Sequence, residues 1–320
     1  MIILAIESSC DEFSVSVLRD GKIITNIISS QIQDHIQYGG VVPELASRLH
    51  VQNFPYVLKT AVQDAKIQYA DITHIAYTKK PGLIGSLIVG AVVAKTLAQY
   101  LGVPLLGMHH IEGHIYAANI EKKFTYPVLS LVVSGGHTQL VLLKSPVEFE
   151  VIGTTQDDAI GECYDKVARV LKLDYPGGPK IDALSLQGDD SQYVFPKIMQ
   201  DNTLDFSFSG LKTASINLIT KIKNRNEAID VPSFCASFQK TAIEAVARKL
   251  RRALELNPDV KMISIAGGVS ANQLLRKTVT AISQEYQVQL SIPNLAYCTD
   301  NAAMIAELAA EYLGQQKPIN

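Results

Sequence analysis

The chain has 320 residues, 47% of them hydrophobic and 19% charged, with a formal net charge of -2; this excludes a disordered chain and allows two lobes, each with its own core. Without a basic footprint, contact with RNA is expected through a local patch or with a partner's help. The four cysteines, Cys10, Cys163, Cys235 and Cys298, have no paired spacing, which argues against a disulfide framework or a zinc ribbon and for reduced thiols in a cytoplasmic protein.

In chain order, Ile2 to Ile6 is a short apolar run that Glu7 ends before a secretory signal could be completed. The polar turn Glu7-Ser8-Ser9-Cys10-Asp11-Glu12 follows, then the alternation Ser14 to Leu18 with the period of a half-buried strand, closed by Asp20-Gly21. Pro43 starts an amphipathic helix that carries Leu45, Leu49, Val57, Leu58 and Val62 and ends near Asp64. Ile72 to Thr78 reads as a strand, and Lys79 to Leu87 as a glycine-rich entry to a helix, either an anion-holding turn or a turn for close packing. The apolar stretch Leu83 to Ala94, broken by Gly85, Ser86 and Gly90, reads as a buried helix with small residues on its packing face. It is shorter than the ~20 residues a bilayer requires, so no membrane contact is expected.

Val103 to Gly107 is a strand that delivers the chain to His110-Ile111-Glu112-Gly113-His114. Positions i and i+4 share one helix face, so His110 and His114 have metal-ligand spacing; an interface or helix-terminus role is the plainer alternative. Neither zinc-peptidase signature fits, since Glu112 sits midway between the histidines.

A second strand-turn-strand unit spans Val128 to Leu143. Laying Ser8 on Ser134 puts Asp11 on His137 and Val15 on Val141 at a constant offset of 126 residues, the mark of an internal duplication and of two similar α/β lobes with polar turns facing a cleft. Asp157 to Lys166 reads as a helix with an acidic first turn, Asp174 to Pro179 as an irregular turn, and Phe206 to Ala214 as the entry to another helix. Pro232 to Leu256 is a long helix whose Arg248, Lys249, Arg251 and Arg252 read as a solvated face first and an RNA contact second. Met262 to Asn272 is strand, double glycine and helix entry, and in Tyr297 to Asn301 the carboxylate of Asp300 is placed as an N-cap would be.

Together these motifs closely resemble the universal tRNA threonylcarbamoyladenosine transferase family, in its bacterial TsaD branch, once described as O-sialoglycoprotein endopeptidases. The resemblance runs through Ile6 to Glu12, Pro81 to Leu87, His109 to His114, Val132 to Gln139, Asp174 to Pro179, Ser207 to Ala214, Gly267 to Asn272 and Thr299 to Asn301. Lys80 stands where the family usually has Gly, and Phe13 where Thr is usual. The resemblance implies the actin, hexokinase and Hsp70-like (ASKHA) α/β fold, two duplicated lobes around a nucleotide cleft. The first lobe, 1–125, would carry the metal-ligand helix; the second, 126–320, would carry the nucleotide-contacting loops, with the last helix packing back toward the first lobe.

The implied reaction moves a threonylcarbamoyl group from threonylcarbamoyl-AMP to N6 of the adenosine beside the anticodon, in tRNAs reading codons that start with A. The resemblance assigns His110, His114 and Asp300 to one divalent metal, Fe2+ ahead of Zn2+, and Val132, Val133, Ser134, Gly135, Gly136, Asp165, Gly178, Asp182 and Asn272 to substrate contacts. The general base is one of Asp11, Glu12 or His137. Implied partners are tRNA, a paralogous dimer-partner subunit and a small P-loop ATPase. Three rivals are weighed against this reading. A metallopeptidase needs a Glu adjacent to a ligand His, and a sugar or acetate kinase on the same fold has no use for paired His ligands. A non-catalytic partner subunit, like the family's degenerate paralogue, typically lacks the metal ligands that are all present here.

Overall fold

The computed structural model describes residues 1–315, so 316–320 of the expected second lobe lie outside the described residues. In chain order the strands and helices are β1 (Ile2–Glu7), β2 (Glu12–Arg19), β3 (Lys22–Ser30), α1 (Ile32–His35), α2 (Pro43–Asp64), β4 (His74–Lys80), α3 (Ile84–Leu101), β5 (Leu105–His109) and α4 (His110–Ala117). Then come β6 (Val128–Val133), β7 (Thr138–Ser145), β8 (Glu148–Thr154), α5 (Ile160–Val170), α6 (Gly177–Ser185), α7 (Ser209–Asn224), α8 (Val231–Leu256), β9 (Met262–Ala266), α9 (Gln273–Glu285), β10 (Gln289–Ser291) and α10 (Ala302–Gly314).

They form two compact units. The first is Met1–Lys123 together with the return of the chain from Pro293, and the second is the inserted segment Phe124–Ile292. The second unit therefore ends well before the C-terminus, because α10 packs against α4, β1 and β2.

Each unit is built on a five-stranded sheet, ordered β3-β2-β1-β4-β5 in the first and β8-β7-β6-β9-β10 in the second. The pairing senses correspond: antiparallel between β1 and β2 and between β6 and β7, parallel between β1 and β4 and between β6 and β9. The 126-residue repeat holds to the residue at the strand ends, since Ile2–Glu7 maps onto Val128–Val133 and Glu12–Arg19 onto Thr138–Ser145. The register does not repeat. Glu7 faces Ser14 in the first hairpin, whereas Val133 faces Thr138 in the second, so the first turn is the wider one. Central strands read as nearly continuous apolar runs because both faces are covered: Ile3 to Ile6 and Val128 to Val133, the latter interrupted only by Ser130, are all fully buried.

α3 differs from the expectation of a buried helix. It continues past Ala94 to Leu101, and only its small-residue face, with Ser86, Gly90, Val93, Ala94 and Ala98, is buried; Ile84, Ile88, Val92 and Tyr100 are exposed. Its 18 residues are long and apolar enough for a membrane span by length and composition, but glycine seats it in the unit: a Cβ on Gly90 would lie 2.1 Å from Ser8 Oγ. Among the described residues no disulfide joins Cys10, Cys163, Cys235 or Cys298.

The basic run on α8 is a solvated face only in part: Arg251 and Arg252 remain partly exposed, and Lys249 does not. Lys249 is 2% exposed, with its ammonium on the carboxylate of Asp201 and the carbonyls of Asp201 and Thr203. Arg248 donates to the carbonyls of Ile198 and Met199, while Arg251 pairs with Glu285 and Arg252 with Glu255. An apolar side chain at 249 leaves those carbonyls without their donor, so Lys249→Met is expected to lower the stability of the second unit by about 1–3 kcal/mol, read as a shifted urea midpoint with an unchanged slope.

Candidate metal centre and nucleotide-contacting loops

In an α/β sheet, ligands collect where parallel strands end, because the helices that follow present N-H groups and free side chains there. In the first unit those ends belong to β1, β4 and β5. β5 runs into α4, whose first residue is His110 and whose next turn carries His114. Their rings meet edge to face with centroids 4.5 Å apart.

The third group arrives from far along the chain. Asp300 Oδ1 lies 3.0 Å from His114 Nε2 and 3.6 Å from His110 Nε2, and one donor atom from each of the three side chains falls within 4.8 Å of the other two. Asp300 is not the cap of α10. That role is filled by Asn301, whose Oδ1 accepts the N-H of Met304, while Ser14 Oγ takes the N-H of Ala302 and Asn26 Oδ1 that of Ala303. Three orphan donors of the helix are thus satisfied by other groups, which leaves the Asp300 carboxylate to the histidines. α4, which carries the histidines, and α10, which follows Asp300, touch at Gly113, where a Cβ would meet Ile305 Cδ1 at 2.8 Å.

The field around the triad is strongly negative. Burial opposes the Asp300 charge, yet the His110 and His114 imidazoles hold its carboxyl well below the usual range. His110 is pushed up to about 9: burial opposes its charge, and Asp300 and Glu7 outweigh it. Burial likewise opposes ionisation of the fully buried Glu7, and His110 more than compensates. Two imidazoles and a carboxylate converging in a field of this sign suit one divalent cation and leave coordination positions open. The peptidase alternative gains nothing from Glu112, which accepts a hydrogen bond from Tyr312 at 3.1 Å and stands outside the cluster.

Of the three candidate bases, Asp11 and Glu12 lie in this unit and His137 does not. Glu12 is buried at the start of β2 and is pushed well above the ordinary carboxylate range, by burial first and then by Asp300 and Asp11. Asp11 is buried beside it, with its carbonyl accepting the N-H of Gln31. Two residues to which sequence reasoning gave no role, Glu7 and Ser9, touch His110 directly: Glu7 Oε2 is 3.2 Å and Ser9 Oγ 3.1 Å from its Nδ1. Both stand in the first motif, but strand ends and turns carry such residues for many reasons, so spacing alone did not mark them.

The second unit repeats the placement with other chemistry. Ser134 and His137 close the β6–β7 turn on themselves, the Ser134 N-H donating to the His137 carbonyl and the His137 N-H to Ser134 Oγ, and this leaves Gly135 and Gly136 exposed. Val132 and Val133 are fully buried, so they could offer a ligand only their backbone. Glycines back this turn closely. A Cβ on Gly161 would sit 2.6 Å from the Ser134 carbonyl, and one on Gly267, at φ +86°, 2.5 Å from that of Val133.

Asp165 on α5 caps the start of α6, accepting from the N-H groups of Gly177 at 2.8 Å and Gly178 at 3.3 Å. Asp182 and Asn272 are joined by Gln239 of α8, a buried residue without a motif of its own; its amide donates to Asp182 Oδ1 at 3.0 Å and accepts from Asn272 Nδ2 at 2.7 Å. Each carboxylate oxygen can accept twice, so Asp182 keeps acceptor capacity for hydroxyls. The acids expected in the first turn of a helix work elsewhere: Asp157 accepts the N-H groups of Phe208 and Ser209 at the start of α7, and Asp158 pairs with Lys166 and Lys212.

Comparison with known proteins gives a consistent result. Residues 22–307 match the family described as tRNA N6-adenosine threonylcarbamoyltransferase. The protein of that name from Mesoplasma florum is 56% identical over 315 residues, 98% of this chain and 99% of its own length; that from Staphylococcus carnosus is 48% identical over 306 residues, 95% and 89% of the two chains. Among solved structures, HypF of T. kodakarensis has a TM-score of 0.68 at 15% identity, covering 98% of this chain and 48% of its own. The Acidaminococcus fermentans (R)-2-hydroxyglutaryl-CoA dehydratase component A has a TM-score of 0.54 at 13% identity, covering 98% and 97%. These two likenesses concern the fold, which is ASKHA-like.

The seam at Gly113 yields a test. Gly113→Val forces α4 and α10 apart, an overpacking of about 1–3 kcal/mol, and is expected to lower the affinity for added Zn2+ about tenfold, measured by chelator competition, while far-ultraviolet circular dichroism stays unchanged.

Proposed function

We propose the reaction from the family to which the chain belongs, that of the tRNA N6-adenosine threonylcarbamoyltransferases: it transfers the threonylcarbamoyl group of threonylcarbamoyl-AMP to N6 of the adenosine 3′ of the anticodon, in tRNAs reading codons that start with A. A C–N bond forms at N6, the C–O bond to the AMP phosphate breaks, and AMP leaves. The observation that carries this reading is the convergence of His110, His114 and Asp300, because a non-catalytic partner subunit has no need of a metal-ligand set.

Adenine N6 is a poor nucleophile, so the protein must orient it and accept its proton as the bond forms. Glu12 is assigned that proton: it is buried beside Asp300 and Asp11, and a carboxyl raised toward neutrality suits a general base. His110, His114 and Asp300 would hold one divalent ion, assigned as Fe2+ ahead of Zn2+ from the two-histidine, one-carboxylate set. When bound, the ion supplies a template for the threonyl group and Lewis acidity toward the carbamoyl oxygen. In the second unit, the N-H groups of Gly135 and Gly136, presented by the turn that Ser134 and His137 close, are assigned to developing oxyanion charge, and Asp165, Asp182, Gly178 and Asn272 to the nucleotide, with Asp165 and Asp182 accepting from ribose hydroxyls. Val132 and Val133 contribute backbone to the same turn. Arg248, Lys249, Arg251 and Arg252 of α8 each have a partner within the chain, which supports tRNA binding that relies on a paralogous partner subunit and a small P-loop ATPase, in the cytoplasm.

Nucleoside mass spectrometry of unmodified tRNA, incubated with threonylcarbamoyl-AMP, the partner subunits and this protein, tests the reading. Threonylcarbamoyladenosine is expected with wild type and not with His114→Ala; no product from wild type, with partners active beside a relative, would refute it. Glu12→Gln is expected to lower kcat by about 100-fold, against less than about tenfold for Asp11→Asn or His137→Ala. Because Glu12 must be ionised to accept the proton, kcat should rise with pH through a limb displaced above that of an ordinary glutamate, and Glu12→Gln should lose that limb.

A further inference from the structure

We infer that Glu7 is a positioning residue of the metal centre: its carboxylate holds His110 in the tautomer whose Nε2 lone pair faces Asp300 and His114. The inference rests on the metal-centre reading above and adds to it the device that sets one ligand's protonation.

Glu7 ends β1 and is fully buried. Its Oε1 accepts the N-H of Ser9 at 2.6 Å, and its Oε2 accepts the hydroxyl of Thr78, on the neighbouring strand β4, and lies 3.2 Å from His110 Nδ1. An ionised carboxylate accepts and cannot donate; the proton in the Glu7–His110 bond therefore belongs to Nδ1. Ser9 gives the same answer independently. Its Oγ lies 3.4 Å from Asp300 Oδ2, another pure acceptor, so the hydroxyl proton goes to Asp300 and the oxygen accepts from His110 Nδ1 at 3.1 Å.

Two acceptors on Nδ1 keep a proton there, so Nε2, the atom 3.6 Å from Asp300 Oδ1, is the nitrogen that gives up its proton to an ion. This is the carboxylate–histidine–metal arrangement, in which the outer carboxylate fixes ring orientation and raises ligand basicity. His114 lacks such a device, since its buried Nδ1 has no hydrogen-bond partner among the described residues. Three strand ends share the construction: β1 supplies the carboxylate, β4 the hydroxyl that braces it, and β5 the chain into α4 that delivers the imidazole.

A purely structural Glu7 would anchor the Ser9 turn and brace Thr78, and Glu7→Gln separates that role from positioning. Glutamine keeps the volume and one acceptor. With its oxygen on the Ser9 N-H, its NH2 group faces Thr78 and His110, so Nδ1 must accept and the ring proton moves to Nε2, where it blocks the ion. Zn2+ is the diamagnetic probe, with affinity measured by chelator competition and protonation by 15N–1H correlation of the imidazoles. Wild type is expected to bind Zn2+ through His110 Nε2 with Nδ1 protonated, and Glu7→Gln to bind it about 10–100-fold more weakly with little change in the thermal midpoint of the metal-free protein. Wild-type Zn2+ affinity in Glu7→Gln would overturn the inference. So would zinc on Nδ1 of wild-type His110, a result that needs no variant to fold. Wild type that takes up neither Zn2+ nor Fe2+ would instead overturn the metal-centre reading itself.

Discussion

The cluster of His110, His114 and Asp300 depends on one close packing contact, the seating of α10 on α4. His110 and His114 stand on a helix of only eight residues, and the carboxylate they meet comes from a segment 186 residues farther along the chain than His114. A short helix has little intrinsic stability and is held by what packs on it. Here the packing partner and the source of the third ligand are the same segment. Gly113 sits between the two histidines and faces Ile305, so the spacing that points both rings to one side also turns a residue without a side chain toward the helix that follows Asp300. Farther along α10, the buried Glu307 accepts from Asn119 at 2.6 Å and pairs with Lys123, which ties the body of the helix to the segment just after α4.

The start of α10 shows how that seating frees the Asp300 carboxylate. An aspartate directly before a helix ordinarily serves the helix, as an N-cap. Here Asn301 is the cap, and two further N-H groups are taken by Ser14 of β2 and Asn26 of β3. The sheet thus performs locally what Asp300 would otherwise do, and it fixes the helix origin against β2 and β3 in the process. Asp300 is placed by a fully satisfied backbone and remains available to the imidazoles.

Much of this was legible in the residues, and what was not has physical reasons. The histidine pair was readable because a helix converts i, i+4 spacing into a shared face. The strand repeat was readable because burial on both sides forces nearly continuous apolar runs at equal offset. Glu7, Ser9 and Gln239 were not readable in this way: each acts through a contact distant in sequence, with His110, Asp300 or Asp182 and Asn272, and nothing local separates such a residue from an ordinary turn or helix polar group. The errors on α3 and α8 share a cause, since composition says what a helix contains and not which face its neighbours leave open. Lys249 is buried and Ile84 exposed, the reverse of their hydrophobicity, because Asp201 and the nearby carbonyls reach the first and no described element covers the second. The acids at 157 and 158 misled for the opposite reason. Acidic residues before a helix suit its dipole, but Asp157 finds better donors at the start of α7.

The duplicated units show how one topology yields two chemistries. Strand order, pairing sense and strand ends repeat, and the hairpin register differs by two residues, with Glu7 opposite Ser14 in one copy and Val133 opposite Thr138 in the other. In the tighter turn, Ser134 and His137 satisfy one another, which fixes Gly135 and Gly136 as an exposed pair of backbone amides suited to anionic or planar ligands. In the wider turn, the Ser9 N-H bends back to the carboxylate of Glu7, and that carboxylate reaches onward to Thr78 and His110. A difference of two residues in register therefore decides whether the end of the central strand offers backbone N-H groups or a buried carboxylate. The fold supplies the location, and the turn supplies the chemistry.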